Sequence, residues 1–99
     1  PRKVIGLAPD QPVYRLLVAE DNEANLNFIV KMLKMIGFEI REAINGAEAI
    51  DICKKWKPHL IWMDIDMPVM DGYEPTRRIK EAPYGKATII IALTASASA

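Results

Sequence analysis

Three short, unbroken apolar runs constrain this chain more than any other feature. They are Leu16-Leu17-Val18-Ala19, Leu60-Ile61-Trp62-Met63 and the Ile89-Ile90-Ile91 centre of residues 88–93. Each is far shorter than the ~20 apolar residues of a membrane-spanning helix. A half-exposed strand alternates polar and apolar side chains. A continuous run of this length fits a strand buried on both faces, as in a parallel sheet. Between the runs the period turns helical. Over residues 23–36, Leu26, Ile29, Leu33 and Ile36 fall three and four apart, with Lys31 and Lys34 between them, which predicts an amphipathic helix. Gly37 follows where a C-cap glycine belongs. Residues 38–43 alternate and predict a further strand. Asn45-Gly46 has turn chemistry, and residues 47–56 are helical again, with Ala49, Ile50 and Cys53 expected to face inward until Pro58 breaks the pattern. The 60–63 run leads straight into Asp64 and a loop, Met67-Pro68-Val69-Met70-Asp71-Gly72. Glu74-Pro75 opens a short helix, Pro83 and Gly85 mark another loop, and residues 88–93 form the last strand, ending at Thr94. Such alternation predicts an α/β fold, a doubly wound parallel sheet with helices on both faces.

Ninety-nine residues suffice for one small domain. Residues 1–13 hold Pro1, Pro9 and Pro12 among Gly6, Asp10 and Gln11 and lack a sustained period. They read as a linker, either an interdomain tether or a disordered arm, which leaves 14–99 as the domain. Thirteen basic residues offset thirteen acidic ones, so the basic excess of a direct nucleic-acid binder is missing. The N-terminal stretch shows no apolar signal-peptide core. Cys53 is the single cysteine, so no internal disulfide can form. These features suit a cytoplasmic segment that does not enter a membrane.

In doubly wound sheets the site lies at the carboxyl ends of the strands, where strand order reverses. The first apolar strand ends in Glu20-Asp21, the third strand in Asp64 and the last in Thr94. Three carboxylates and a hydroxyl are therefore expected to converge. Carboxylates so placed repel one another and drive at least one toward protonation, and a divalent cation relieves the conflict. Oxygen ligands without His or Cys point to a hard ion, Mg²⁺ above all. Mg²⁺ beside a carboxylate suggests phosphoryl chemistry with the carboxylate as nucleophile. The opposing reading is that acidic residues after strands are helix caps and loop solvators; Asp21 or Asn22 would then simply cap the helix that starts at Glu23.

The segments that follow these strands resemble those of a known family. WMDIDMPVMDG at residues 62–72 is similar to the phospho-acceptor segment of two-component response-regulator receiver domains, VAEDN at 18–22 to their acidic pair, ALTA at 92–95 to their switch-threonine segment, and NGAEAI at 45–50 to the start of their second helix. The resemblance covers roughly residues 14–99. It implies a flavodoxin-like receiver fold with strand order 2-1-3-4, Asp64 as phospho-acceptor, and Thr94 as the switch residue that moves toward the phosphate. It further implies a Mg²⁺ site from Asp21 and Asp64 directly, Glu20 mostly through water and the Asp66 backbone carbonyl, with Met67-Pro68 and Asp71-Gly72 shaping the loop. The phosphoryl group would come from the phosphohistidine of a histidine kinase or phosphotransfer domain, or from a small donor such as acetyl phosphate. The acidic pair here is Glu-Asp where Asp-Asp is commoner. The family continues with a fourth helix, a fifth strand bearing a lysine, and a fifth helix, none of which fits in residues 96–99. The expectation is a receiver truncated before its fifth strand, with the isoleucine strand left as an exposed edge open to edge-strand or swapped dimerisation. The amino-terminal residues 3–22 resemble the junction between a kinase catalytic domain and its attached receiver in hybrid histidine kinases. The module itself would be a phospho-acceptor rather than a conventional enzyme.

Two other functions compete. Asp64-Ile65-Asp66 after an apolar strand also resembles the nucleophile motif of haloacid-dehalogenase-type phosphatases, with Asp66 as general acid, but that motif normally follows the first strand. A receiver-like interaction module that takes no phosphate is the third reading. His59 precedes its strand and so belongs at the opposite end from the site. Cys53 reads as a small core residue, and Met32 and Met35 as packing. Trp56 and Trp62 read as core or partner-facing, and Lys54-Lys55-Trp56-Lys57 as a solvated helix end favoured by the helix dipole.

Overall fold

The computed structural model describes residues 13–64 and 73–93. Four strands, β1 (Arg15–Ala19), β2 (Glu39–Ala43), β3 (Leu60–Asp64) and β4 (Ile89–Leu93), alternate with helices α1 (Glu23–Ile36), α2 (Gly46–Trp56) and α3 (Tyr73–Glu81). A 3-10 turn at Pro83–Gly85 precedes β4. The strands form one parallel sheet in the order β2-β1-β3-β4, as the resemblance implies.

The two central strands are apolar on both sides because each side meets a different core. Leu16 and Val18 of β1 join Leu26, Val30 and Leu33 of α1, with Leu60 and Trp62 of β3 packed at the margin. Leu17 and Ala19 turn the other way and join Ile61 and Met63 of β3, Ala49 and Cys53 of α2 and Ile79 of α3. Alternate residues of one strand thus serve opposite layers. Burying one such leucine or isoleucine contributes roughly 1.5–3 kcal/mol.

Local signals set the helix ends. Asn22 caps α1, its Oδ1 accepting from the Asn25 N–H at 2.9 Å, and Gly37 closes the helix at φ 120°, a conformation glycine adopts without a Cβ penalty. Asn45 and Gly46 are the start of α2 rather than a separate turn. Asn45 Oδ1 accepts from the Glu48 N–H, and Glu48 reaches back to the Ile44 N–H, both at 2.9 Å. Glu48 thus ties down the residue just before the cap, one position earlier than in a capping box. Gly85 lies so close to Ile79 that an added Cβ would sit 2.1 Å from the Ile79 carbonyl oxygen, which locks the turn against α3.

One packing expectation fails. Met35 is 82% exposed and Met32 37%, because the buried stripe of α1 runs through Leu26, Val30 and Leu33. Met35 lies on the opposite face of the helix from that stripe, and Met32 about a third of a turn away from it. Trp56 is half-buried, with the Arg41 guanidinium 5.0 Å from its ring centroid. No helix among the described residues is long and apolar enough to cross a membrane.

Candidate functional site

Chain direction reverses its lateral course at β1. The strand after it pairs on one side, and β3 pairs on the other, so the carboxyl ends of β1 and β3 flank the switch point where ligands bind in such sheets. Glu20 and Asp21 follow β1, and Asp64 is the last residue of β3. Carboxylate oxygens of all three lie within 4.8 Å of one another. The expected convergence of Glu20, Asp21 and Asp64 is therefore found. Asp66, Thr94 and the loop residues Met67, Pro68, Asp71 and Gly72 lie outside the described residues.

The three acids occupy different environments. Glu20 is 8% exposed, Asp64 half-buried and Asp21 exposed. Burial, offset in part by a hydrogen bond from the Asn22 N–H and reinforced by Asp64, pushes the Glu20 carboxyl up to about 7. Without a counter-ion Glu20 thus tends to keep its proton, as a buried carboxyl beside other carboxylates does. An all-oxygen donor set with graded exposure could hold a hard divalent cation, whose charge would replace that proton.

Three hydrogen bonds fix the β1–α1 turn that carries two of the acids. The Glu20 N–H donates to the Ala43 carbonyl at 3.0 Å, extending the β1–β2 ladder past the last strand residue. The Asn22 N–H donates to Glu20 Oε2 at 3.1 Å. The Leu26 N–H donates to the Asn22 carbonyl at 2.8 Å, which begins α1. The sequence offers Asp21 or Asn22 as the cap; the structure chooses Asn22 and adds its main-chain grip on Glu20, which sequence reasoning missed. The signal was the adjacency of an Asn cap to the acidic pair.

Beside the triad, a cleft of ≈ 570 Å³ runs between α1 and the β2–α2 connection, lined by Asp21, Glu23, Asn27, Glu42 and Asn45 among others. His59 is at the opposite edge, as expected, where its Nδ1 accepts from the Arg15 N–H at 2.9 Å. Cys53 is buried in the α2 layer, which pushes its thiol up to about 12; it is inert core.

Comparison with known proteins gives a consistent assignment. A family model described as the response regulator receiver domain matches residues 16–99. The hybrid signal transduction protein dokA of Dictyostelium discoideum is 34% identical over 99 residues, covering 99% of this chain but only 6% of that much longer protein. Among solved structures, the receiver domain of sensor histidine kinase PA1611 from Pseudomonas aeruginosa PAO1, with a magnesium ion coordinated in its active-site cleft, aligns with a TM-score of 0.82 and 35% identity, over 87% of this chain and 70% of that one. The response regulator TrrA of Thermotoga maritima, in complex with Mg²⁺ and BeF, aligns at 0.78 with 32% identity, over 84% and 70%. The phosphatase alternative finds no support among these matches. The chain is a receiver domain of two-component phosphorelay signalling and belongs to the response regulator receiver family.

Proposed function

We propose that Asp64 is the phospho-acceptor and that Glu20, Asp21 and Asp64 hold Mg²⁺ beside it. The supporting observation is the meeting of three carboxylates at the carboxyl edge of β1 and β3. Asp21 and Asp64 would be direct ligands and Glu20 would act mostly through water; Asp66, by its backbone carbonyl, and Thr94, as switch, complete the site by resemblance. When bound, Mg²⁺ supplies charge neutralisation for the incoming phosphoryl group. The chain's own part is to present the Asp64 carboxylate at a rigid strand end and to keep the buried Glu20 next to it. The bond that forms is between an Asp64 carboxylate oxygen and phosphorus; the bond that breaks is the phosphorus–nitrogen bond of a phosphohistidine, whose imidazole leaves with the electron pair.

The same reading makes the donor a histidine kinase or phosphotransfer domain, and makes residues 14–99 a receiver module tethered by residues 1–13 in a longer cytoplasmic protein of the hybrid histidine kinase type. Magnesium bound in the solved receivers and the small share of dokA that this chain covers support it. Ile89 and Ile91 are 62% and 42% exposed on β4, and edge pairing between copies is part of the proposal. A monomer by light scattering at high concentration would remove that part. The test of the central reading is incubation with acetyl phosphate and Mg²⁺ followed by intact mass. One phosphate per chain, absent without Mg²⁺, is expected. Steady turnover of a generic phosphoester with no stable adduct would overturn it.

A further inference from the structure

Asn22 stands between the acidic triad and α1 and is bonded to both. Its N–H donates to Glu20 Oε2 at 3.1 Å. Its Oδ1 accepts from the Asn25 N–H at 2.9 Å, and its carbonyl accepts from the Leu26 N–H at 2.8 Å. The side-chain bond holds the Asn22 backbone at φ −81°, ψ 115°, and that backbone orientation aims the N–H at the Glu20 carboxylate. Glu20 is the buried member of the triad and is tethered at its own N–H to Ala43. Its carboxylate is held on one side by the Asn22 N–H and faces Asp64 and Asp21 on the other. The chemistry of the cap is also selective. Asp, Asn and Ser are comparable as helix caps, and the helix dipole favours a negative group there. An aspartate would, however, add a fourth charge beside three carboxylates already within 4.8 Å of one another. A carboxamide caps the helix and adds none.

We infer that Asn22 is a positioning residue for the divalent cation, setting cation affinity by holding Glu20 against the Asp21–Asp64 pair. The inference rests on the proposed Mg²⁺ site. It differs from a purely structural capping role, in which Asn22 would support α1 and leave the cation unaffected.

Titration calorimetry with MgCl₂, alongside thermal melts without metal, separates the two. Asn22→Ala is expected to bind Mg²⁺ about tenfold more weakly, in the range seen when partners of metal ligands are removed. Asn22→Ser, which restores a neutral cap, is expected to return to within about twofold of the parent affinity. If the alanine variant is too unstable to titrate, Asn22→Gly serves, since glycine is the mildest replacement at a helix cap while releasing the backbone. It should likewise lose about tenfold in affinity. A folded alanine or glycine variant with unchanged affinity and a lowered melting temperature would overturn the inference. If the parent protein itself fails to bind Mg²⁺, the proposed cation site falls, and the inference falls with it.

Discussion

At the amino edge of the sheet, polar groups that converge are matched to one another. The Arg15 N–H donates to His59 Nδ1, its guanidinium reaches the Trp56 and Lys57 carbonyls that end α2, and Thr88 Oγ1 donates to the buried Pro58 carbonyl at 3.0 Å. Lys80 Nζ ties α3 to the start of β4 through the Thr88 carbonyl at 2.8 Å. Tyr14 sets its ring edge-on to His59, 5.3 Å between centroids. At the carboxyl edge of the same strands, three acids are gathered within 4.8 Å of one another, and the buried one is pushed up to about 7. Donors facing acceptors make the amino edge a stabilising seam. Like groups facing each other leave the carboxyl edge with a crowding of carboxylates that a bound cation would relieve. Strand length separates the two, so each edge can be altered without disturbing the other.

The largest effect should come from Asp64→Asn. Phosphate incorporation from acetyl phosphate, read by intact mass, should fall to background, because the carboxamide is no nucleophile, while the fold stays intact or gains stability from the removed charge. Next, Asp21→Asn should weaken Mg²⁺ binding by on the order of a hundredfold, the upper end of the loss seen when a partner acting through a ligand is removed, with little change in melting temperature. The amino edge should answer in the opposite way. Thr88→Val leaves the buried Pro58 carbonyl without its donor, at a cost of about 1–3 kcal/mol, which lowers the melting temperature by roughly 4–8 °C per kcal/mol. Mg²⁺ affinity should not move. A Thr88→Val protein that loses Mg²⁺ binding in step with stability would show that the two edges are coupled after all.

The smallest effect is a pH dependence confined to the carboxyl edge. The folded Glu20 carboxyl lies at about 7 against an ordinary 4.5, so between these values the folded state holds the extra proton. Stability is then highest below pH 4.5 as far as this group is concerned, and declines as pH rises toward 7. The decline should be on the order of 1 kcal/mol once solvent screening is allowed for. Melts of metal-free Glu20→Gln should lack the decline, and saturating Mg²⁺ should flatten it in the parent protein.

The β2 and β4 strands carry the same contrast into the sheet's flanks. β2 reads Glu-Ile-Arg-Glu-Ala and β4 Ile-Ile-Ile-Ala-Leu. Charged side chains blunt an edge strand, whereas apolar ones invite cover. Ile90 packs against the α2 layer, while Ile89 and Ile91 stay largely exposed on the α1 side.

Much of this was legible from residues in order. Continuous apolar runs placed β1 and β3 between two covered faces but not β4, whose Ile89 and Ile91 are exposed on the α1 side, and helical spacing placed Leu26 and Leu33 in the core. Acids directly after apolar strands placed Glu20, Asp21 and Asp64 at one edge, because parallel strands all deliver their carboxyl ends to the same side. Met32 and Met35 were misplaced because hydrophobicity does not say which side of an amphipathic helix meets the sheet when apolar residues outnumber the available contact. Asn45-Gly46 carries turn chemistry by composition and a helix start by resemblance, and the structure makes it the latter, because asparagine serves turns and caps by the same side-chain bond.

The residue pattern by itself determined the fold class and the identity of the three acids, since both follow from periodicities of two and 3.6 and from strand direction. Only the tertiary structure decided which of the acids is buried, what grips it, and that the Asn22 main chain joins the acidic edge to α1. Those properties depend on distances between segments, and such distances are set by packing across the β1–β2–β3 layer rather than by neighbours along the chain.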